Sequence, residues 1–337
     1  MDHVKNLTTA KISLLDLAKI SQGASLRQTY DQSRTLAQTA EALGFTRFWL
    51  AEHHNIEGIA SAATSVLIGY IAENTKTIRV GAGGIMLPNH APLMIAEQFG
   101  TLASLYPDRI DLGLGRAPGT DRATMRALRR DNPNHGADFG ELVDELTGFF
   151  APAYAGQVVK AIPGAGIDVP LYILGSSLYG AQLAARLGRP YAFAGHFAPA
   201  MMRQAFEIYR SAFQPSAFLK EPYVMVGVPV IAADSDEQAA YLATSLQRAF
   251  LNMIRGTRTL SLPPVEDMDA IWSPAEKQAV LNMLGLLVTG SARKVREELD
   301  RLIEFTGADE LIVTSDTYRF EDRLKSIEVI AQAKSIS

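Results

Sequence analysis

The 337-residue sequence predicts an α/β protein, a (β/α)8 TIM barrel that forms one domain over residues 1–337. Short apolar segments with strand character alternate with helical segments along the chain, which indicates parallel strands. Eight strands can be counted, and eight favour closure into a barrel, although a doubly wound open sheet would show the same alternation. Glycines, histidines and an arginine follow the strands directly, where barrels of this kind build their active sites.

Most of the predicted strands are short apolar runs that end at, or are followed by, a polar residue or a glycine. The predicted strands are Ile12–Leu17, Arg47–Ala51, Ile78–Gly81, Ile110–Leu114, Leu171–Leu174, Tyr191–Ala194, Tyr223–Ile231 and Glu310–Thr314. Gly44 and Pro92 are typical signals for a helix end and a helix start. The predicted helices are Leu26–Leu43, Ala62–Glu73, Ala91–Leu105, a helix carrying Leu142, Leu146, Phe149 and Phe150, Ala181–Leu187, Met201–Phe213, Glu237–Phe250, Ala292–Phe305 and Arg323–Ala333.

Two longer segments interrupt this alternation. They follow the fourth and the seventh strand, and cover about residues 117–137 and 253–290. Long excursions from a compact fold are often functional, and lids over active sites are a frequent use. Peripheral decoration of the barrel is the equally open alternative.

Composition excludes several classes of protein. The formal net charge is −4, so the basic excess of a nucleic-acid-binding protein is missing. The chain has no cysteine, which rules out disulfides, thiolate metal sites and cysteine nucleophiles. We find neither the apolar core of a signal peptide at the N-terminus nor an apolar run of the ~18 residues that a membrane helix needs. We therefore expect a cytoplasmic protein with no membrane association.

The second strand ends in the sequence Glu52-His53-His54, which is the richest cluster of titratable groups in the chain. Histidine is the side chain most easily tuned to exchange protons near neutral pH. Neighbouring strand residues point to opposite faces, so His53 and His54 are unsuited to chelate one metal ion, and no metal site is expected. His90 and His196 also follow strand ends, and three loops that present an imidazole at one rim suggest a site.

Two further motifs indicate a bound ring and a bound phosphate. Gly83 and Gly84 follow the third strand, where the missing Cβ atoms would let a flat ring lie on the peptide, unless they only form a bend. Arg116 follows the fourth strand and suits a phosphate fork. Ser176 and Ser177 follow the fifth strand and open a helix, whose N–H groups favour an anion.

Several other motifs are weaker or missing. Gly113-Leu114-Gly115 does not continue as a dinucleotide fingerprint, because Pro118 stands where the third glycine is required. A basic cluster in the first insertion is either a solvated helix face or a ligand contact. Its members are Arg122, Arg126, Arg129 and Arg130. Neither a Gly-x-Ser-x-Gly elbow nor a P-loop is present, which disfavours serine hydrolases and P-loop enzymes.

At these motifs the chain resembles the bacterial luciferase-like, flavin-dependent monooxygenase family, in its non-luminescent subgroup. The resemblance is carried by Glu52-His53-His54, by Val80-Gly81-Ala82-Gly83-Gly84-Ile85 and by Gly113-Leu114-Gly115-Arg116, in this order and spacing. It is strongest from Ile12 to about Asp121, and resumes at Leu171–Phe197 and Val288–Tyr318.

The resemblance implies a barrel that binds reduced FMN and uses O2 to oxygenate a small organic substrate, with the FMN supplied by a separate flavin reductase. The family's non-proline cis peptide corresponds to Gly83–Gly84, its phosphate arginine to Arg116, its phosphate-binding hydroxyl to Ser176 or Ser177 and its active-site histidine to His53. Under this resemblance His53 is the acid–base group, and His90 is the second candidate for the same pocket. Gly115 replaces the reactive cysteine of luciferase, which argues against light emission. The resemblance also implies a homodimer through the helices Ala62–Glu73 and Ala91–Leu105.

Two alternatives remain open from the sequence. A related barrel could bind a deazaflavin and transfer hydride without O2, or the fold could bind a flavin without catalysis. The identity of the substrate cannot be read from the sequence.

Overall fold

Eight parallel strands pair in a closed ring in the computed structural model, which describes residues 5–117, 121–128, 139–195, 199–257 and 259–336. The strands of the ring are β1 (Lys11–Asp16), β2 (Arg47–Leu50), β3 (Arg79–Met86), β4 (Ile110–Gly115), β5 (Leu171–Gly175), β6 (Tyr191–Phe193), β7 (Val224–Ala232) and β9 (Glu310–Thr314). β9 pairs with both β1 and β7, and β6 pairs with β7, so the ring closes. The predicted barrel is confirmed.

Helices connect the strands and cover the ring. They are α1 (Leu26–Ala42), α2 (Thr64–Glu73), α3 (Pro92–Leu105), α4 (Arg122–Leu128), α5 (Phe139–Phe150), α6 (Leu178–Leu187), α7 (Met202–Ser211), α8 (Asp236–Ile254), α9 (Pro274–Met283), α10 (Ala292–Thr306) and α11 (Phe320–Ser335). Ser25 caps α1 in a capping box with Gln28, and Gly188 ends α6 in the left-handed conformation. Within the described ranges, no helix is both long and apolar enough to cross a membrane.

The largest apolar core lies between the outer face of the ring and the helices. A smaller apolar layer fills the inside of the barrel, where Trp49 and Tyr172 meet edge to face with ring centroids 5.0 Å apart. Alternating strand residues point to these two layers, as the pleat requires. The inner layer separates the two ends of the barrel.

A buried ionic network fills the N-terminal end of the barrel. Arg47 Nη1 donates to Asp111 Oδ2 at 2.7 Å, and Arg47 Nε donates to Glu310 Oε1 at 2.7 Å. Arg79 donates to the other oxygen of Asp111 at 2.6 Å, and the Tyr223 hydroxyl donates to Glu310 Oε2 at 2.8 Å. Burial alone would lower the pKa of Arg47, but Asp111 and Glu310 raise it, so the guanidinium stays charged.

One prediction about an element needs correction. The third strand continues to Met86, so Gly83 and Gly84 lie inside β3 and not after it. β2 pairs with β3 as far as Ala82, and β4 pairs with it on both sides of a register shift between Ala82 and Ile85, as far as Met86. In the described part of the second insertion, α8 reaches Ile254, α9 lies within the segment, and β8 (Val288–Gly290) pairs with β7 outside the ring.

Candidate active site

A cavity of about 540 Å³ opens at the C-terminal end of the barrel, within the usual size range of small-molecule sites. The ends of several ring strands and the segments that follow them form its wall. The residues of the wall include Leu15, His53, Gly83, Gly84, Met86, Gly115, Arg116, Leu174, Ser176, Ser177 and Tyr179. The site residues predicted after strands two to five therefore meet around one space, apart from His90.

The Gly83–Gly84 peptide forms one side of this wall, and it is a cis peptide bond. A Cβ at Gly83 would lie 2.8 Å from Leu15 Cδ1 and 2.9 Å from Trp49 Cε3, and a Cβ at Gly84 would lie 2.6 Å from Gly113 O. Side chains are therefore excluded at both positions. The wall here is flat backbone, as the sequence predicts.

An anion-binding arrangement lies at the α6 side of the cavity. Ser177 is the N-cap of α6 and is extended, and its side chain makes no capping bond, so the first N–H groups of the helix stay available to a ligand. The Arg116 guanidinium lies 4.6 Å above the centre of the Tyr179 ring. Because Arg116, Ser176 and Ser177 all line the cavity, cationic, hydroxyl and backbone donors face one volume.

His53 is the histidine that lines the cavity among the described residues. It lies three residues beyond the end of β2, on the same wall as Gly83 and Gly84. An imidazole in this place can donate or accept a proton at an atom of a bound ligand. The position agrees with the role that the sequence predicts for His53.

His54 and His90 face Glu52 and do not line the cavity. Both imidazole Nε2 atoms contact the same carboxylate oxygen, Glu52 Oε1, at 2.8 Å from His54 and 2.9 Å from His90. The Met86 N–H donates to Glu52 Oε2 at 3.0 Å. His90, the second catalytic candidate, is therefore placed to hold Glu52 and not to reach a ligand in the cavity.

Glu52 is a buried carboxylate, with only 1% of its surface exposed. Burial would raise the pKa of Glu52, but hydrogen bonds from His54 and His90, the proximity of His90 and the Met86 N–H together lower it to about 2. The carboxylate is thus charged at neutral pH and accepts hydrogen bonds at both oxygens. The sequence contains Glu52 in its most informative motif, yet it gives no sign that His90 is a partner.

The segments around Gly58 and Thr259 cover the outer side of the cavity. Ile20, which follows β1, donates its N–H to Gly58 O at 3.0 Å, and Ser261 N–H donates to Ile20 O at 2.9 Å. A Cβ at Gly58 would lie 2.6 Å from Thr259 O, so the two covering segments are in close contact. Thr259, Ser261 and Met253 line the cavity, which places the start of the second insertion over the site.

Other sequence predictions have mixed outcomes. Arg122 and Arg126 lie on the exposed α4 and do not line the cavity, consistent with a solvated helix face. His196, Arg129 and Arg130 lie outside the described residues. Tyr179 and the covering segment around Gly58 were not predicted. A tyrosine in the first turn of α6, directly after two serines, is the signal that could have indicated the former.

The fold and the cavity define a (β/α)8-barrel protein with a ligand site at the C-terminal ends of its strands. The chain belongs to the luciferase-like monooxygenase family, because the family model matches residues 10–310. It is 51% identical over 326 residues to a luciferase-like monooxygenase of Escherichia coli K12, covering 97% of both chains. The crystal structure of apo-MsnO8 is similar with a TM-score of 0.87 and 34% identity, over 97% of this chain and 99% of that one.

More distant structures share the fold alone. The oxygenating constituent of 3,6-diketocamphane monooxygenase from Pseudomonas putida, solved in complex with FMN, has a TM-score of 0.70 at 19% identity, over 96% of this chain and 97% of that one. An F420-dependent secondary alcohol dehydrogenase, solved with an F420–acetone adduct, has a TM-score of 0.67 at 16% identity, over 97% and 99%. Structural neighbours thus include both an FMN complex and an F420 complex.

Proposed function

We propose that the protein is a monooxygenase that uses reduced FMN and O2 to oxygenate a small organic substrate. The observation that carries this proposal is the convergence of three features on one cavity: the flat Gly83–Gly84 wall, the Arg116 anion site and the imidazole of His53. A flavin mononucleotide has a planar ring system at one end and a phosphate at the other. Membership of the luciferase-like monooxygenase family supports the oxygenase reaction.

The residues present fit FMN. Arg116, Ser176, Ser177 and the N-terminus of α6 would hold the phosphate, because they combine a fixed positive charge with hydroxyl and N–H donors. The Gly83–Gly84 peptide would support the ring, since no side chain stands between the backbone and the cavity at this wall. When bound in the reduced form, FMN supplies the activation of O2, which side chains do not provide.

The protein itself would orient the bound ligands, hold or move a proton, and exclude water from the reacting atoms. His53 would donate a hydrogen bond to a reacting oxygen when the ring nitrogen that faces the cavity carries the proton, and would accept one there when it does not. The segments around Gly58 and Thr259 would keep water from the reacting atoms. Apolar side chains from α8 and from the loop after β2 would receive the substrate. These side chains are Leu246, Phe250, Met253, Ile56 and Ile59.

Two partners belong to this proposal. A separate flavin reductase would deliver the reduced FMN, and a second copy of the chain would cover part of α2 and α3. Val66, Met94 and Leu105 on these helices are 69%, 56% and 63% exposed. Large apolar side chains at this density favour burial against another copy. Light scattering should give twice the 36.6 kDa of the chain, and Met94→Glu should lower that mass.

Anaerobic binding followed by oxygen mixing tests the proposed function. The protein is titrated with photoreduced FMN, oxidised FMN and reduced F420, and the reduced FMN complex is then mixed with O2. We expect reduced FMN to bind most tightly, and the complex to release H2O2 more slowly than free reduced FMN does. Preferred binding of F420, with hydride transfer to a ketone, would instead support the deazaflavin alternative. Binding of FMN with unchanged H2O2 release would leave a flavin-binding protein without oxygenase chemistry.

A further inference from the structure

The Glu52 carboxylate connects the segment after β2 to the C-terminal end of β3 and to the turn that follows it. On one side it precedes His53 in the chain, and on the other it accepts the N–H of Met86 at 3.0 Å, two residues beyond Gly84. Both His53 and Met86 line the cavity, whereas Glu52 does not. A single buried side chain therefore links the segment that carries this imidazole to the backbone wall of the cavity.

Two imidazoles support this carboxylate from outside. His54 comes from the segment after β2, and His90 comes from the turn after β3, 38 residues along the chain from Glu52. Asn89 Nδ2 adds a long contact to Glu52 Oε1 at 3.4 Å. The side chains of His54 and His90 are 14% and 28% exposed, so the support lies at the edge of the molecule and not in its core.

The same three side chains have the composition of a metal site, with ligand atoms within 4.8 Å of one another. Their hydrogen bonds favour a different role. An ionised carboxylate can only accept hydrogen bonds, so both Nε2 atoms must carry a hydrogen to contact Glu52 Oε1. The Nε2 atoms that face Glu52 then have no lone pair for a metal ion between the three side chains. The cluster is therefore complete as a hydrogen-bonded unit.

We propose that Glu52 is the positioning residue of the site, and that His54 and His90 hold it so that the His53 imidazole keeps a fixed place relative to the Gly83–Gly84 wall. This inference rests on the proposed function, because the place of His53 matters for a ligand on that wall. Reactive groups must be held within a fraction of an ångström, and a displacement of about 1 Å can cost on the order of a hundredfold in rate. Glu52 acts through His53 and does not itself touch the ligand.

Substitutions can separate the hydrogen bond from the imidazole. Glutamine places an amide nitrogen near the position of histidine Nε2, so His90→Gln keeps a donor for Glu52 while His90→Ala removes it. Glu52→Gln keeps one oxygen for the two imidazoles, but its NH2 group then faces the Met86 N–H, and two donors oppose each other. We expect Glu52→Gln to disturb the site most, His90→Ala less, and His90→Gln least.

Glu41, in helix α1, offers a matched control at the opposite end of β3. Its Oε1 accepts the N–H groups of Lys76, Thr77 and Ile78 at 2.8, 2.5 and 2.9 Å, just before the N-terminal end of β3. Glu41→Gln thus removes a carboxylate that anchors backbone N–H groups near β3, as Glu52→Gln does, but at the end of the barrel far from the cavity. It measures the effect of a general loss of stability.

The experiment combines a measurement without flavin and one with it. In the free protein, 15N-histidine spectra report the tautomers of His54 and His90 and the shift of His53, and hydrogen exchange reports the Met86 amide. In the wild type, we expect His54 and His90 to be Nε2–H tautomers. In Glu52→Gln and in His90→Ala, we expect the His53 signal to shift and the Met86 amide to exchange faster than in the wild type. Release of H2O2 from the reduced FMN complex should become about tenfold to a hundredfold faster in both, with FMN affinity changed less than threefold. His90→Gln and Glu41→Gln should resemble the wild type.

Several outcomes would overturn the inference. These are an unmoved His53 signal with unchanged H2O2 release in both variants, an effect of Glu41→Gln as large as that of Glu52→Gln, or stoichiometric binding of Zn²⁺ that His54→Ala abolishes. If Glu52→Gln does not fold, the comparison of His90→Ala with His90→Gln tests the inference instead. The His90 side chain is partly exposed, so its replacement should leave the protein folded. If the wild type binds no FMN, the proposed function fails, while the spectra and the exchange rates still decide whether Glu52 fixes His53.

Discussion

The two ends of this barrel both carry charged side chains, but they use them differently. At the N-terminal end, Arg47 is enclosed by Asp111 and Glu310, and every charge has an opposite charge against it. At the C-terminal end, Arg116 lies on the Tyr179 ring, and within the part of the chain that the structure describes no carboxylate pairs with it. Charges that satisfy one another stabilise a fold or specify its packing, whereas a cation beside a cavity is available to a ligand.

Glu52 combines the two uses. Like Glu310, it is buried and fully hydrogen-bonded, but its partners are two imidazoles and a backbone N–H at the edge of the cavity. The N-terminal network joins strands to each other, while Glu52 joins the segments that follow β2 and β3. The same type of side chain therefore supports the fold at one end and the geometry of the site at the other.

If the C-terminal end carries the chemistry, His53→Ala should have the largest functional effect. A positioned acid–base group contributes about 10²- to 10⁴-fold to rate. We expect oxygen transfer to fall by a factor in this range and H2O2 release to accelerate, while unfolding and FMN binding stay near wild type. His54→Gln, which keeps a donor for Glu52, is the control. If the His53→Ala complex releases H2O2 at the wild-type rate, the His53 imidazole takes no part in the mechanism.

If the N-terminal end serves stability, Arg47→Met should act on folding and not on the site. Removing this cation takes from Glu310 the guanidinium that pairs with it and from Asp111 one of its two guanidinium partners, and breaking a buried pair in this way costs about 3–5 kcal/mol. The free energy of unfolding from urea denaturation should fall by that amount. The folded fraction should still bind FMN with wild-type affinity, and a selective loss of affinity would contradict the division between the two ends.

Acid should weaken the protein partly through Glu52. Its pKa is lowered from 4.5 to about 2 in the folded protein, so its contribution to stability is present above about pH 4.5 and is lost as the pH falls towards 2. A shift of this size corresponds to about 3 kcal/mol. Urea denaturation of the wild type and of Glu52→Gln between pH 6 and pH 3 should give curves that converge at low pH. Parallel curves would show that Glu52 is not a major part of the acid sensitivity.

Arg116→Ala should have the smallest of these effects. It removes a charge-assisted contact worth on the order of 2 kcal/mol, which is about tenfold or more in FMN affinity. Stability should change little because the side chain is exposed. Riboflavin, which lacks the phosphate, should bind both proteins equally. If Arg116→Ala loses as much affinity for riboflavin as for FMN, Arg116 does not bind the phosphate.

The sequence predicted the site residues at the C-terminal end of the barrel better than the ion pairs at its N-terminal end. His53, Gly83, Arg116 and Ser176 could be predicted because each follows or ends a recognisable strand, and parallel strands bring such positions to one rim. Arg47 and Glu310 were assigned to strands without any sign that they meet. They are 263 residues apart, and only closure of the ring brings β2 and β9 to the two sides of β1.

The misread end of β3 has a related cause. Glycines are poor strand formers, so Gly83 and Gly84 suggested a boundary, whereas pairing with β4 extends β3 to Met86. The contact between His90 and Glu52 depends on this extension, because it sets where the turn after β3 begins. Local pattern therefore identified the residues of the rim, but the contacts among them depend on the closed barrel.

A crystal structure of the protein with FMN tests the central claim most directly. We expect the phosphate to contact Arg116, Ser176 or Ser177 and the N-terminus of α6, with the ring against the Gly83–Gly84 peptide and within hydrogen-bonding reach of His53. FMN bound with its phosphate at another place, or a cavity that takes no FMN at concentrations that saturate the protein in solution, would contradict the assignment of this end of the barrel as a flavin site.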